Sequence, residues 1–360
     1  MDKSEMLLLL IAVSGELQAE MAPYAVGSAS YAAALVTKLK KDGWILARSR
    51  DGIKGYLLRA KGKKMLMERY PEAFAVYFSG AAETNHVKSE PERRLRLHRM
   101  SRAWAFFYRM GVPVFPMQKP SFPPDIQAMG KGRAYYGAAE FKGNADKVKG
   151  SRACGLLLCG GQPFVVYHTV GQRMKWAKKM ERSMRQFAES VFWKQGCFLT
   201  ADAAIIGNTM ETLRLLLESD GGFKGNLFQV DDTYERWFYF SMQEESRIQL
   251  ELVADKKTGR QFYAFLCQSL SRRRESEYAL MDGYDREGAP VYFCYELELF
   301  RLMRIKHELG IRAQRGKVVC LDFQAEVLKA YFGEEVEVLA VLSEKVTEYL
   351  SACREPDPVR

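Results

Sequence analysis

The stretch YAAALVTKLKKDGWILARSRDGIKGYLL, residues 31–58, constrains the fold of this chain more than any other. Ser28 is an N-cap residue type and Ala29 onward is helix-forming, with Leu35, Val36 and Leu39 on one face and Ser30, Tyr31, Thr37, Lys38 and Lys41 largely off it. Gly43 stops that helix, predicted to run to about Asp42. WILARSR and KGYLLRA then alternate as strands, and Asp51-Gly52 between them is a hairpin signal, because a two-residue turn of the favoured hand needs positive φ at both positions.

Upstream, Ser4 reads as the cap of a helix through MLLLLIAV, and ELQAEMAPYAV as a second helix broken near Pro23. Three helices followed by a two-stranded wing is the order of a winged helix-turn-helix, whose third helix enters the major groove while the wing meets phosphate. Charge agrees with that reading. From Val36 to Tyr70 there are eleven Lys and Arg (38, 40, 41, 48, 50, 54, 59, 61, 63, 64, 69) against three acids (42, 51, 68), in a chain whose formal net charge is +10. Phosphate neutralisation supplies affinity and polar helix residues supply readout. The DNA-binding candidates are Ser28, Ser30, Tyr31, Thr37, Lys38 and Lys41 on the helix and Arg48, Arg50 and Lys54 on the wing. A basic helix from Glu90 to Met110, with Leu95, Leu97, Trp104 and Phe107 to bury, adds Arg93, Arg96 and Arg99 at i,i+3 spacing, within a stripe that includes Arg94 and Arg102.

The remaining chain mixes strands and helices. VPVFP, AYYGAAEFKG, ADAAIIGN, FYFSM, RQFYAFLCQSL, VYFCYEL and KVVCLDF are strand-like, and CGLLLCGGQPFVVYHTV is a hairpin turned at Gly160-Gly161. Residues 171–193 and METLRLLLES read as helices. The order of a winged helix, a polar linker, an Arg-rich helix (EPERRLRLHRMSRAW) and a sheet with SRACGLLLCGGQPFVVYHTVGQRMKWAKKMER resembles the replication-relaxation-like winged-helix proteins of Gram-positive plasmids and conjugative elements. The resemblance covers roughly residues 5–195. It implies a restriction-endonuclease-like second domain and a setting among other mobile-element proteins.

Two carboxylates and a lysine suit that second domain. Pro124-Asp125 followed by Glu140-Phe141-Lys142 spells the PD…ExK arrangement in which paired carboxylates hold Mg²⁺ and the lysine activates water. Asp125 lies in a Pro-rich loop, and Glu140-x-Lys142 at the end of a strand would put both side chains on one face. Aligned instead on the Gly160-Gly161 hairpin, the acidic positions hold Cys154, Tyr167 and His168, which implies an inactive relic. His168 has no nucleophile at a telling spacing and reads as a half-buried, satisfied histidine.

Seven scattered cysteines without a C-x-x-C pair, and four histidines, argue against a disulfide framework and a zinc site. Reduced thiols in a cytoplasm are the simpler reading, and the apolar run Met6–Val13 is too short to cross a bilayer. The expected fold class is α+β: a winged helix-turn-helix over 1–78, a linker over 79–92, a nuclease-like mixed α/β domain over 93–220, and a smaller α/β region over 221–360. The expected function is a non-enzymatic, DNA-binding accessory or regulatory protein with double-stranded DNA as partner, no cofactor and no membrane. The alternatives are a Mg²⁺-dependent nuclease and an adaptor that uses the winged helix to bind protein.

Overall fold

Asp2, rather than Ser4, opens the first helix. Its carboxylate accepts the backbone N–H groups of Ser4 at 2.7 Å and Glu5 at 2.9 Å, so α1 runs Lys3–Ser14. The computed structural model describes residues 1–79, 83–125, 130, 132–142, 148, 150–274, 276, 278–312 and 315–353, the side chains of Glu83, Lys142 and Arg312 excepted. Met6 to Ser14 are buried all round, so α1 is a core helix rather than an amphipathic one.

Leu17–Gln18 (β1) is extended where a helix is predicted, because it pairs antiparallel with Tyr56 and Gly55. The helix resumes at α2 (Met21–Val26), whose Pro23 falls in the first turn, where no backbone donor is lost. Then come α3 (Ala29–Lys41), β2 (Ile45–Arg50) and β3 (Ile53–Leu58), in a sheet of order β1-β3-β2. Asp51 and Gly52 take φ of 54° and 73°, the left-handed pair that the hairpin turn demands. Helix α4 (Ala60–Arg69) ends before Pro71, which opens α5 (Pro71–Phe78).

Helix α6 (Pro91–Arg109) packs on α1, α2, β1 and β3. Leu97, Trp104 and Phe107 are buried as predicted, but Leu95 is 46% exposed. Arg94, His98 and Arg102 occupy the inward face instead.

Next, VPVFP forms no strand and leads into a 3-10 turn at Pro116–Gln118. Strand β4 (Arg133–Gly137) gives way to the short helix α7 (Ala138–Lys142), where the sequence suggests a continuing strand. Strands β5 (Gly155–Cys159) and β6 (Gln162–Thr169) extend β4 into an antiparallel β4-β5-β6 ladder. The predicted helix from 171 begins only at α8 (Lys178–Trp193). Buried Glu181 of α8 accepts from the Ser151 hydroxyl (2.6 Å), the Arg152 N–H (2.8 Å) and the Tyr167 hydroxyl (2.9 Å), tying α8 to β6.

Gly137 explains why β4 lies so close to α6: a Cβ there would overlap the Trp104 indole. Gly137→Ala is expected to destabilise by about 1–3 kcal/mol through overpacking. Urea denaturation checks this, and an unchanged midpoint would refute the close approach.

The chain divides into two compact units, Met1–His168 with Ala177–Ala201, and Thr169–Trp176 with Asp202–Arg360. In the second, β7 (Asp202–Gly207), α9 (Glu211–Leu217) and β8 (Trp237–Ser241) make a parallel β-α-β step. Helices α10 (Ser246–Ala254) and α11 (Lys256–Leu266) follow. RQFYAFLCQSL, predicted as a strand, lies mostly in α11, since Phe262 and Leu266 are buried one helical turn apart. Strands β9 (Arg272–Arg273), β10 (Gly283–Tyr284) and β11 (Pro290–Phe293) are antiparallel. Helix α12 (Leu299–Arg312), β12 (Gly316–Leu321), α13 (Ala325–Phe332), β13 (Val336–Val341) and α14 (Ser343–Cys353) complete the unit, with β11, β12 and β13 parallel. The chain is thus an α+β protein. Among the described residues, no helix is long and apolar enough to cross a membrane.

Candidate nucleic-acid interface

Helix α3 buries Ala32, Leu35, Val36 and Leu39 and turns Ser30, Tyr31, Thr37, Lys38, Lys40 and Lys41 outward. Ser28 caps it, its hydroxyl accepting the Tyr31 N–H at 3.4 Å, and lies 3.3 Å from the Ser30 hydroxyl. Tyr31 is 50% exposed, a large ring left in solvent on the same helix as the lysines. A face of hydroxyls, one aromatic ring and ammonium groups can donate to phosphate and to base edges.

The hairpin candidates divide between two faces. Arg48 lies opposite Gly55 and Arg50 opposite Ile53, whereas Lys54 lies opposite Ser49. Cross-strand partners share a face and neighbours along a strand alternate. Arg48 and Arg50 therefore sit on one side of the ribbon and Lys54 on the other. The Arg48 guanidinium donates to the Lys88 carbonyl, and Arg50 lies 3.5 Å from Asp51 with both side chains largely exposed.

A buried ion cluster sets the hairpin against α6. Glu16, at the end of the α1–β1 turn, receives Arg94 in fork geometry: Nε lies 3.1 Å from each carboxylate oxygen and Nη2 2.5 Å from Oε1. His98 Nε2 lies 3.1 Å from the same Oε1, and Glu16 and Arg94 are both fully buried. Burial by itself would raise the Glu16 carboxyl, but the His98 and Arg94 hydrogen bonds outweigh it and hold the group below its ordinary range. Gly55 makes room, since a Cβ there would lie 2.5 Å from Glu16 Oε1 and 2.9 Å from His98 Nε2. Arg94 also donates to the carbonyls of Arg50 and Ile53, both at 3.0 Å, so one guanidinium clasps each side of the Asp51-Gly52 turn. One turn beyond His98, Arg102 donates to Gln18 Oε1 (2.7 Å) and Glu20 Oε2 (2.9 Å).

The basic stripe of α6 is consequently split. Arg94 and Arg102 face inward as structural clamps, Arg93 is exposed and paired with Glu90 at 2.7 Å, and Arg96 and Arg99 are half-buried. The clamp residues Glu16 and His98 went unread in the sequence. The available signal was Arg94, His98 and Arg102 at i, i+4 and i+8, in step with buried Leu97 and Ser101.

The carboxylate candidates stand apart in kind. Asp125 is exposed in its loop. Glu140 lies on α7, where residues two apart point to nearly opposite sides, unlike the strand geometry expected. Glu140 Oε2 is 2.9 Å from Lys119 Nζ and accepts the Gly137 N–H at 2.7 Å. Burial raises the Glu140 carboxyl and lowers the Lys119 ammonium, each opposed by the other's charge. The Lys142 side chain lies outside the described residues. Among the described residues, no group of three or more His, Cys, Asp or Glu side chains is arranged to hold a metal ion.

His168 departs from expectation. It is 3% exposed rather than half-buried, and neither ring nitrogen has a hydrogen-bond partner among the described residues. In comparisons with known proteins, no family model, no curated sequence and no solved structure matches this chain.

Proposed function

We propose that this chain docks duplex DNA through α3, with the β2–β3 hairpin beside it, as a winged helix-turn-helix. The helix-strand-helix-helix-strand-strand order and the β1-β3-β2 sheet support the reading. The observation that carries it is the outward face of α3, which holds Ser30, Tyr31, Thr37, Lys38 and Lys41 together in solvent. Lysines there meet phosphate, and the hydroxyls and tyrosine ring face base edges. Lys54 and Arg50 lie on opposite faces of the ribbon, so the wing contributes through its edge rather than a flat basic plane. A role as an accessory or regulatory protein of a mobile element rests on the sequence resemblance.

The test is the salt dependence of duplex affinity. Fluorescence anisotropy of the full chain with a mixed-sequence 30-bp duplex is expected to give a log K that falls linearly with log salt. Lys38→Ala with Lys41→Ala is expected to flatten the slope by about 2, at roughly 0.9 per lost phosphate contact. Arg48→Ala, whose guanidinium is engaged by Lys88, is expected to change it far less. An unchanged slope and affinity in the double variant would end the proposal.

A further inference from the structure

Helix α6 covers one face of the β4-β5-β6 ladder, with Trp104 against Gly137 and edge-on to Tyr135 at 4.9 Å. Tyr135 lies opposite Leu157 and Leu157 opposite Phe164, so these three share the covered face. Alternation along β6 carries that face to Val166 and His168. His168 therefore lies on the α6 side. Burial first, and the nearby charges of Arg102 and Arg99 after it, hold its imidazole well below the ordinary range.

Arg99 is as poorly matched as His168. It is half-buried and makes no hydrogen bond or ion pair among the described residues. Burial lowers its guanidinium, and Cys154, Arg152 and Arg96 lie near it, the two arginines with the same charge. Arg102 is neutralised by Glu20, but Arg99 has no such carboxylate among the described residues. Among the described residues, a guanidinium partly out of water and, beside it, the one N–H of a neutral imidazole are left without acceptors.

We propose that Arg99 and His168, flanked by Arg96 and Arg152, form a binding site for a phosphate group. The Arg99 fork matches two phosphate oxygens, a His168 N–H supplies a third donor, and the flanking guanidiniums offset the charge. A tetrahedral oxyanion suits this set better than a carboxylate, because it presents three oxygens to the two donors of the Arg99 fork and the one of His168. The phosphate comes either from a free phosphate-bearing small molecule or from a nucleic-acid backbone. The site does not depend on the α3 reading. If the backbone supplies the phosphate, the site extends that footprint.

The experiment uses the full chain with ¹⁵N-labelled histidine, the His168 signals being assigned by their loss in His168→Gln. Inorganic phosphate is titrated at constant ionic strength against sodium chloride. A saturable shift of the His168 nitrogens with phosphate and not chloride is expected. Arg99→Gln is expected to weaken phosphate binding at least tenfold, and Arg99→Lys, which keeps the charge and loses the fork, by an intermediate factor. No saturable shift in a folded wild-type chain, or equal affinity in Arg99→Gln, overturns the site. Adding a 20-bp duplex then separates the sources. Displacement of phosphate assigns the site to backbone, and retained phosphate assigns it to a free ligand. A chain that binds phosphate here but no duplex refutes DNA docking and leaves this site standing.

Discussion

Replacing Arg94 with leucine is expected to lower the unfolding free energy by about 3–5 kcal/mol, because it strands the Glu16 carboxylate in a fully buried site. The guanidinium makes three buried contacts to Glu16 and one part-buried contact to each of two hairpin carbonyls. Its loss leaves, among the described residues, a buried carboxylate with His98 alone beside it, and removes a donor from each of two hairpin carbonyls. The pair itself need not be net stabilising, since desolvating two ions offsets most of their attraction. Glu16→Leu combined with Arg94→Leu is therefore expected to recover a large part of the loss. Urea denaturation of wild type, both single variants and the double variant gives the coupling directly. A single-variant cost below about 1 kcal/mol, the range of exposed pairs, would show that the cluster is not sealed.

The second large effect is on pH dependence. Burial of His168, with the charges of Arg102 and Arg99 nearby, holds its imidazole pKa well below the ordinary range. The unfolded chain takes up a proton at this residue near pH 6.5, while the folded chain does not. The unfolded state thus binds more protons, and stability falls as pH drops below about 6.5, by up to roughly 1.4 kcal/mol per pH unit until the folded-state value is reached. Above pH 7.5 His168 is neutral in both states and contributes no slope. His168→Gln is expected to flatten the loss between pH 6.5 and 5.5, measured by urea denaturation in phosphate-free buffers. The other histidines are common to both proteins and cancel in the comparison. Identical pH profiles would mean that His168 takes up its proton in the folded state as well.

The hairpins were the most legible parts of this chain, for a local reason. Asp51-Gly52 and Gly160-Gly161 both adopt positive φ at both turn positions, a requirement written in the residue types themselves. The capped α3, with its apolar face of Leu35, Val36 and Leu39, was legible for the same reason. Where the reading failed, the deciding partner lay far along the chain. Arg94 and Arg102 look like surface cations until Glu16 and Glu20, 78 and 82 residues away, come to meet them. Leu95 looks like core until those arginines take the inward face. Glu140 looks like a strand-end carboxylate until Lys119 claims it and the strand ends at Gly137. In α11 the aromatic run mimics a strand because β-propensity measures fit to a half-buried surface, which a helix flank also offers.

The clasp that Arg94 places on the carbonyls of Arg50 and Ile53 also fixes what can be cut from this chain. A fragment ending at the close of α5 keeps the hairpin but loses the Arg94 clasp on it, and leaves Glu16 without Arg94 and His98 in an opened core. The smallest autonomous piece therefore includes α6. The turn is held from inside the fold, so little conformational freedom remains in it to be lost in any association.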